Sequence, residues 1–165
     1  MNDSDQRASA RTAAPLVSVA MITYNHRAFL AQALDSVLAQ HCDFEIEIVV
    51  SDDCSPDGAA AILEEYQARH ANIIRRDPTK NVGMHANFDR VWTACRGRYI
   101  ALLEGDDWWH DPHKLARQVE FMDAHPAVTV SGHPMRCCTI EGVCESEYPF
   151  DAAVIPPVTA LDRLI

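Results

Sequence analysis

Three carboxylates crowd into four positions of this chain. Glu104-Gly105-Asp106-Asp107 directly follows the apolar run Tyr99-Ile-Ala-Leu-Leu103 and is itself followed by Trp108-Trp109. Acids packed so closely repel one another, and their charged forms persist together only where a cation compensates them. Hard oxygen ligands at this spacing suit Mg²⁺ or Mn²⁺, above all when a phosphorylated ligand completes the shell. The same residues also suit a solvated acidic turn before a helix, because Asp and Gly are common turn residues. Glu104, Asp106 and Asp107 are therefore candidate metal ligands, to be judged by what the rest of the chain brings to them.

Two more apolar runs end in polar clusters. Leu16-Val-Ser-Val-Ala-Met-Ile22 gives way to Thr23-Tyr24-Asn25-His26, and Phe44-Glu-Ile-Glu-Ile-Val-Val50 gives way to Ser51-Asp52-Asp53-Cys54-Ser55-Pro56-Asp57-Gly58. Short, β-rich runs that are nearly continuously apolar read as strands covered on both faces. Helical periods lie between them. Phe29, Leu30, Ala33, Leu34, Val37 and Leu38 mark the first helix. Ala61, Ile62, Leu63 and Tyr66 mark the second, with Asp57 or Ser55 as its cap. Asn72-Ile-Ile74 reads as a short strand, and residues 75–81 as a loop ending near Gly83. Met84, Phe88, Val91, Trp92 and Cys95 predict a third helix, closed by Gly97 as its C′ residue. Asp111-Pro112 fits an N-cap with proline at N1 for a helix carrying Leu115, Val119, Phe121 and Met122. Val128-Thr-Val130 predicts one further strand. Beyond Ser131 no period is clear.

Alternating strands and helices predict right-handed βαβ units and a mostly parallel sheet with helices on both faces. Ligands of such sheets bind beyond the carboxyl ends of the strands. Three polar clusters fall at that edge, which independent solvated turns have no reason to do, and this favours a binding site.

Composition narrows the ligand. A chain of 165 residues, 48% hydrophobic and 23% charged, has the make-up of one soluble globular domain. A net charge of -10 argues against a nucleic-acid partner, but a nucleotide's phosphates can be met by a metal and by backbone amides. No stretch has the length of a membrane span or the pattern of a signal peptide. The expected location is the cytoplasm, with peripheral association at the inner face of a membrane left open. Six cysteines without a CxxC pair read as reduced thiols. A zinc site at His133, Cys137, Cys138 and Cys144 is the weaker alternative, because adjacent strand cysteines point to opposite faces. The chain has no G-x-G-x-x-G after its first strand, no G-x-x-x-x-G-K-[ST] and no G-x-S-x-G. Dinucleotide dehydrogenases, P-loop enzymes and the common esterase architecture are disfavoured. Acids at strand tips point instead to a nucleotide diphosphate held through a divalent cation.

Val17-Ser-Val-Ala-Met-Ile-Thr-Tyr-Asn25, Ile48-Val-Val-Ser-Asp-Asp-Cys-Ser-Pro-Asp57, Asn81-Val-Gly83 with Asn87, and Glu104-Gly-Asp-Asp107 together resemble the family 2 glycosyltransferases. The order and spacing of all four blocks agree. The resemblance implies an α/β fold of the GT-A (Rossmann-like) type, with a nucleotide-sugar-binding domain over residues 16–131. Residues 1–15, polar and alanine-rich, are expected to be a disordered leader. Residues 132–165 are expected to begin an acceptor-side region that the chain cuts short.

The resemblance also implies roles. Tyr24 packs on the nucleotide base with Thr23 beside it, Asp53 hydrogen-bonds the base, and Asp52 sits close to the same pocket. Asp106 matches the last acid of the family's D-x-D and is the principal ligand of metal and diphosphate. Glu104 stands at the first position of that motif, a longer acid facing the ribose or the metal, and Asp107 orients the metal shell or caps the next helix. Trp108 and Trp109 either stack on a sugar or form a lid or core. Asn81, Gly83 and Asn87 shape a loop over the diphosphate, or Gly83 merely starts a helix. The activity implied is metal-dependent transfer, with Mn²⁺ or Mg²⁺, of a sugar from a nucleotide-diphosphate sugar to the hydroxyl of a glycan or lipid-linked acceptor. Inversion by direct displacement and a role in cell-surface polysaccharide or lipopolysaccharide synthesis are expected. The catalytic base is expected beyond the chain end, since nothing singles out Glu141, Glu145, Glu147 or Asp151. Two other readings stand beside it: a non-catalytic nucleotide-sugar-binding remnant, and a nucleotidyltransferase, which usually has a Gly-rich basic loop after the first strand that is missing here.

Overall fold

β1 (Val17–Thr23) is hydrogen-bonded on both sides, to β2 (Ile46–Asp52) and to β4 (Tyr99–Glu104), in a computed structural model that describes residues 14–139 and the backbone of Cys144–Tyr148. β3 (Ile73–Arg75) lies outside β2, giving the strand order β3-β2-β1-β4 with every pair parallel. The connections are α1 (Arg27–Leu38), α2 (Ala59–Arg69) and α3 (Met84–Ala94), and α4 (Lys114–Ala124) follows β4. The expected α/β sheet with helices on both faces is present.

Alternation along β1 explains the two-sided core. Val17, Val19 and Met21 face one side, where they pack with Leu30, Leu34 and Val37 of α1, Leu63 of α2 and Leu115 of α4. Ala20 faces the other, with Val49 of β2 and Val91 of α3. Each such aliphatic side chain, fully buried, contributes about 1.5–3 kcal/mol. β4 departs from the expectation of a strand covered on both faces. It is the last strand of the described sheet, α3 packs on β1 and β2, and Leu102 is 56% exposed.

A buried polar clamp anchors the loop entering β4. Ser18 Oγ donates to Glu47 Oε1 at 2.6 Å, and Arg96 reaches Glu47 Oε2 through Nε at 3.0 Å and Nη2 at 2.6 Å. Gly97 N–H donates to Ser18 Oγ at 2.7 Å. A Cβ on Gly97 would lie 2.4 Å from the Ser18 nitrogen, so close backbone approach requires glycine here. The expected left-handed helix cap does not form; α3 ends at Cys95 in an extended conformation, and Gly97 does not have positive φ.

The chain divides into two compact units between Phe121 and Met122. In the second, β5 (Met135–Cys138) and β6 (Cys144–Tyr148) form an antiparallel hairpin with an irregular register between Cys137 and Cys138. The strand expected at Val128–Val130 is absent: these residues have no ladder partner, and Val130 is exposed. Cys42, Cys54, Cys95 and Cys137 are free thiols, whereas Cys138 is disulfide-bonded, unlike the all-reduced expectation. Among the described residues, no helix is long and apolar enough to cross a membrane.

Candidate functional site

The three polar clusters meet because the register aligns the strand ends. Thr23 pairs with Asp52, and Ile22 with Glu104. The ladder continues one step on each side: Asp53 N–H donates to the Thr23 carbonyl and Gly105 N–H to the Ile22 carbonyl, both at 3.0 Å. Thr23, Asp52-Asp53 and Glu104-Gly105 thus stand side by side at one sheet edge.

On the β2 side the acids organise backbone. Asp52 is buried; it accepts the Ser55 N–H at 3.1 Å and the Ser55 hydroxyl. Ser55 Oγ in turn accepts the Asn25 N–H at 2.9 Å, tying the loop after β1 to the loop after β2. Asp53 is also buried, and its two oxygens accept the N–H groups of Val82 and Gly83, each at 2.8 Å. Asn81 Nδ2 donates to the Asp53 carbonyl at 3.0 Å. Asn87 faces the interior, where it accepts the Ser51 hydroxyl at 2.5 Å and donates to the Ser51 carbonyl at 3.1 Å, joining α3 to β2. Gly83 is the residue at which α3 begins. Asp57 caps two helices at once, accepting the Arg27 N–H at 2.8 Å and the Ala59 N–H at 2.9 Å. Desolvation and, after it, the negative charges of Asp52, Asp53 and Asp77 push the Cys54 thiol above its ordinary value.

On the β4 side the acids face outward. Glu104, Asp106 and Asp107 are exposed, and Asp107 N–H closes a turn onto the Glu104 carbonyl at 3.1 Å. Gly105 is buried between this turn and Thr23: a Cβ there would meet Thr23 Oγ1 at 2.5 Å. Thr23, 2% exposed, leaves that Oγ1 without a hydrogen-bond partner, and so does His26 with its buried Nδ1. His26 Nδ1 stands 3.4 Å from Asp106 Oδ1. His26 closes the polar tip Thr23-Tyr24-Asn25-His26, where its place in the chain assigned it no role of its own. Tyr24 is 44% exposed and so is not a core aromatic. The tryptophans divide: Trp109 is buried, its backbone N–H donates to Ser36 Oγ at 3.1 Å and its ring lies under Lys114 Nζ at 4.1 Å, while Trp108 is exposed.

Among the described residues, no group of three or more His, Cys, Asp or Glu side chains is placed to hold a metal ion by itself. The donor set nonetheless fits Mg²⁺ or Mn²⁺ in kind: it is made of exposed carboxylates, next to two shielded and unpartnered polar atoms. An ion here would need further oxygens from a bound ligand to complete its shell. Of the acids considered as bases, Glu141 and Asp151 lie outside the described residues, as do the side chains of Glu145 and Glu147. The first 13 residues of the expected leader lie outside them too.

Residues 18–152 match the family model described as Glycosyl transferase family 2. A Mycobacterium tuberculosis protein, Uncharacterized protein Rv1520, is 42% identical over 134 residues, covering 81% of this chain and 39% of its own length. Uncharacterized glycosyltransferase alr2836 of Nostoc is 36% identical over 118 residues, covering 71% of this chain and 36% of its own. The crystal structure of S. aureus TarS 1–349 in complex with UDP aligns with a TM-score of 0.60 at 26% identity, covering 73% of this chain and 38% of that one. Mannosyltransferase PcManGT from Pyrobaculum calidifontis, in complex with GDP-Man and Mn²⁺, aligns with a TM-score of 0.62 at 24% identity, covering 76% and 36%, a likeness of fold alone. The chain spans less than two fifths of the length of the curated relatives named here.

Proposed function

Because the chain belongs to glycosyl transferase family 2 and has the GT-A fold, we propose that the tips of β1, β2 and β4 bind a nucleotide-diphosphate sugar for transfer to an acceptor hydroxyl. The observation that carries this reading is the convergence of Thr23-Tyr24, Asp52-Asp53 and Glu104 to Asp107 on one sheet edge. The solved TarS complex with UDP and a second with UDP-GlcNAc support a nucleotide sugar as ligand class.

Exposure supports roles for Tyr24 and the β4 acids, and the loop contacts support those of the β2 acids. Tyr24 offers an exposed ring on which a base can stack. Asp53 and Asp52 shape the base and ribose side, Asp53 through the Val82-Gly83 loop that it fastens and through the lone pairs left on its oxygens. Asp106 is the principal ligand of Mn²⁺ or Mg²⁺, with Glu104 and Asp107 beside it on the same turn. The cation, when bound, offsets the charge that develops on the leaving diphosphate. The acceptor oxygen attacks the anomeric carbon as the bond from that carbon to the diphosphate oxygen breaks, with inversion, and a carboxylate base takes the hydroxyl proton. A cell-surface glycan or a lipid-linked sugar is the acceptor class, with association at the inner face of a membrane. Residues 16–131 form the donor half, and residues 132–165 begin the acceptor side.

Incubation of the protein with Mn²⁺ and a panel of UDP-, GDP- and dTDP-sugars tests this reading. Release of nucleoside diphosphate, or saturable binding of one donor without release, supports the donor site; the second result marks a chain that binds without turnover. Formation of pyrophosphate from a nucleoside triphosphate and a sugar phosphate, with no binding of any nucleotide-diphosphate sugar, overturns it.

A further inference from the structure

We propose that His26 is a positioning residue for Asp106, its Nδ1–H holding the carboxylate in the orientation that receives the cation. The inference rests on the donor-site reading and adds a residue that the four motif blocks do not contain. His26 is fixed from its backbone, where its carbonyl accepts the Phe29 and Leu30 N–H groups, both at 2.9 Å, at the start of α1. Its Nδ1 is shielded from solvent without a hydrogen-bond partner, which is rare in folded proteins and calls for an explanation. The acid paired with it is Asp106, whose Oδ1 stands 3.4 Å away, just beyond the range of about 2.7–3.2 Å of an ordinary N–H···O bond. Gly105 leaves room for the approach: a Cβ at that position would stand 3.3 Å from His26 Nδ1 as well as against Thr23. His26, Gly105 and Asp106 therefore form one unit in which an imidazole from the β1 tip sets the direction of an acid from the β4 tip.

Outer hydrogen bonds of this kind orient ligating carboxylates, and losing one typically costs 10–100-fold in metal affinity. The test is a titration of Mn²⁺ in the presence of UDP, followed by the paramagnetic resonance of free Mn²⁺. It uses the full chain and its His26→Ala, His26→Asn and Asp106→Ala variants, with circular dichroism to confirm folding. The expected result is an affinity about tenfold weaker in His26→Ala, substantially restored in His26→Asn, whose amide places a donor near the lost Nδ1. An unchanged affinity in His26→Ala, or an equal loss in His26→Asn, overturns the inference, and the donor site stands if Asp106→Ala still abolishes binding. If the unsubstituted chain takes up no Mn²⁺ with UDP, or if Asp106→Ala leaves binding unchanged, the donor-site reading falls and this inference falls with it.

Discussion

The carboxylate of Asp53 holds the backbone of Gly83: Oδ2 accepts the Gly83 N–H at 2.8 Å while Oδ1 accepts that of Val82 at the same distance. An acid at the tip of β2 thereby fixes the loop that leads into α3, and the two motif blocks that contain them become one piece of structure.

Asp53→Ala removes both charge-assisted bonds and leaves the Val82 N–H unpaired, while the Gly83 N–H keeps Asn81 Oδ1 as an acceptor at 3.2 Å, at an expected cost of about 2–3 kcal/mol in urea unfolding. Asp53→Asn keeps one acceptor oxygen and is expected to cost about half as much. Donor affinity should fall in both. A stable Asp53→Ala protein would show that the loop is held by other contacts.

Gly105→Ala sets a methyl group 2.5 Å from Thr23 Oγ1 and 2.6 Å from Thr23 Cβ. Overpacking of this kind costs about 1–3 kcal/mol. Thr23→Ser is not expected to rescue the variant, because the Cβ contact remains. Thermal unfolding of the single and double variants measures this.

Burial raises the pKa of Glu47, but hydrogen bonds from Ser18 and Arg96 and the charge of Arg96 outweigh it, so its carboxyl lies below the ordinary glutamate value. The folded value is the depressed one, so the clamp contributes stability above the ordinary value of about 4.3, and that contribution is lost as pH falls through the folded value. Arg96→Gln raises the folded value toward the unfolded one, so the variant is expected to be destabilised most near about pH 6 and to lose less of this contribution as pH falls to about 3. Urea midpoints measured from about pH 3 to 6 check the direction, and coincident profiles for the two proteins would contradict it.

Burial lowers Lys114 from 10.5 to about 8. The Trp109 ring 4.1 Å away favours the cation and opposes this shift. Because the folded value lies below the unfolded one, the penalty on the charged form is present below about 8 and lifts as pH rises toward 10.5. Stability attributable to this group should therefore increase over that range, and Lys114→Met should flatten the profile. The chain has only two lysines, Lys80 and Lys114, so mass-resolved acylation against pH can compare them directly. The midpoint of Lys114 is expected at about 8.

The strands that form the site were legible because Val17 to Ile22 and Ile48 to Val50 are apolar runs whose polar ends mark where the sheet stops. Helix periods such as Leu30, Ala33, Leu34 and Val37 were legible for the same reason, and each of these residues is buried. What the runs did not reveal were pairings across the chain. The Asp53 bonds to Val82 and Gly83, the inward turn of Asn87 and the approach of His26 to Asp106 each join residues about 30 or more positions apart. Gly97 misled because a glycine after a helix suits both a left-handed cap and a close contact, and only the fold shows Ser18 against it. Val128-Thr-Val130 misled because β-branched residues form a strand only where a partner ladder exists.

The central claim is that Asp106 and its neighbours bind a nucleotide diphosphate through a divalent cation. Calorimetric titration of UDP-GlcNAc, UDP and GDP-Man into the protein, with Mn²⁺ and with a chelator, tests it most directly when repeated on Asp106→Ala. The account predicts saturable binding by at least one of these ligands that requires Mn²⁺ and weakens at least tenfold, about 1.4 kcal/mol, in Asp106→Ala. Binding that survives the chelator, or that is the same in Asp106→Ala, would contradict it.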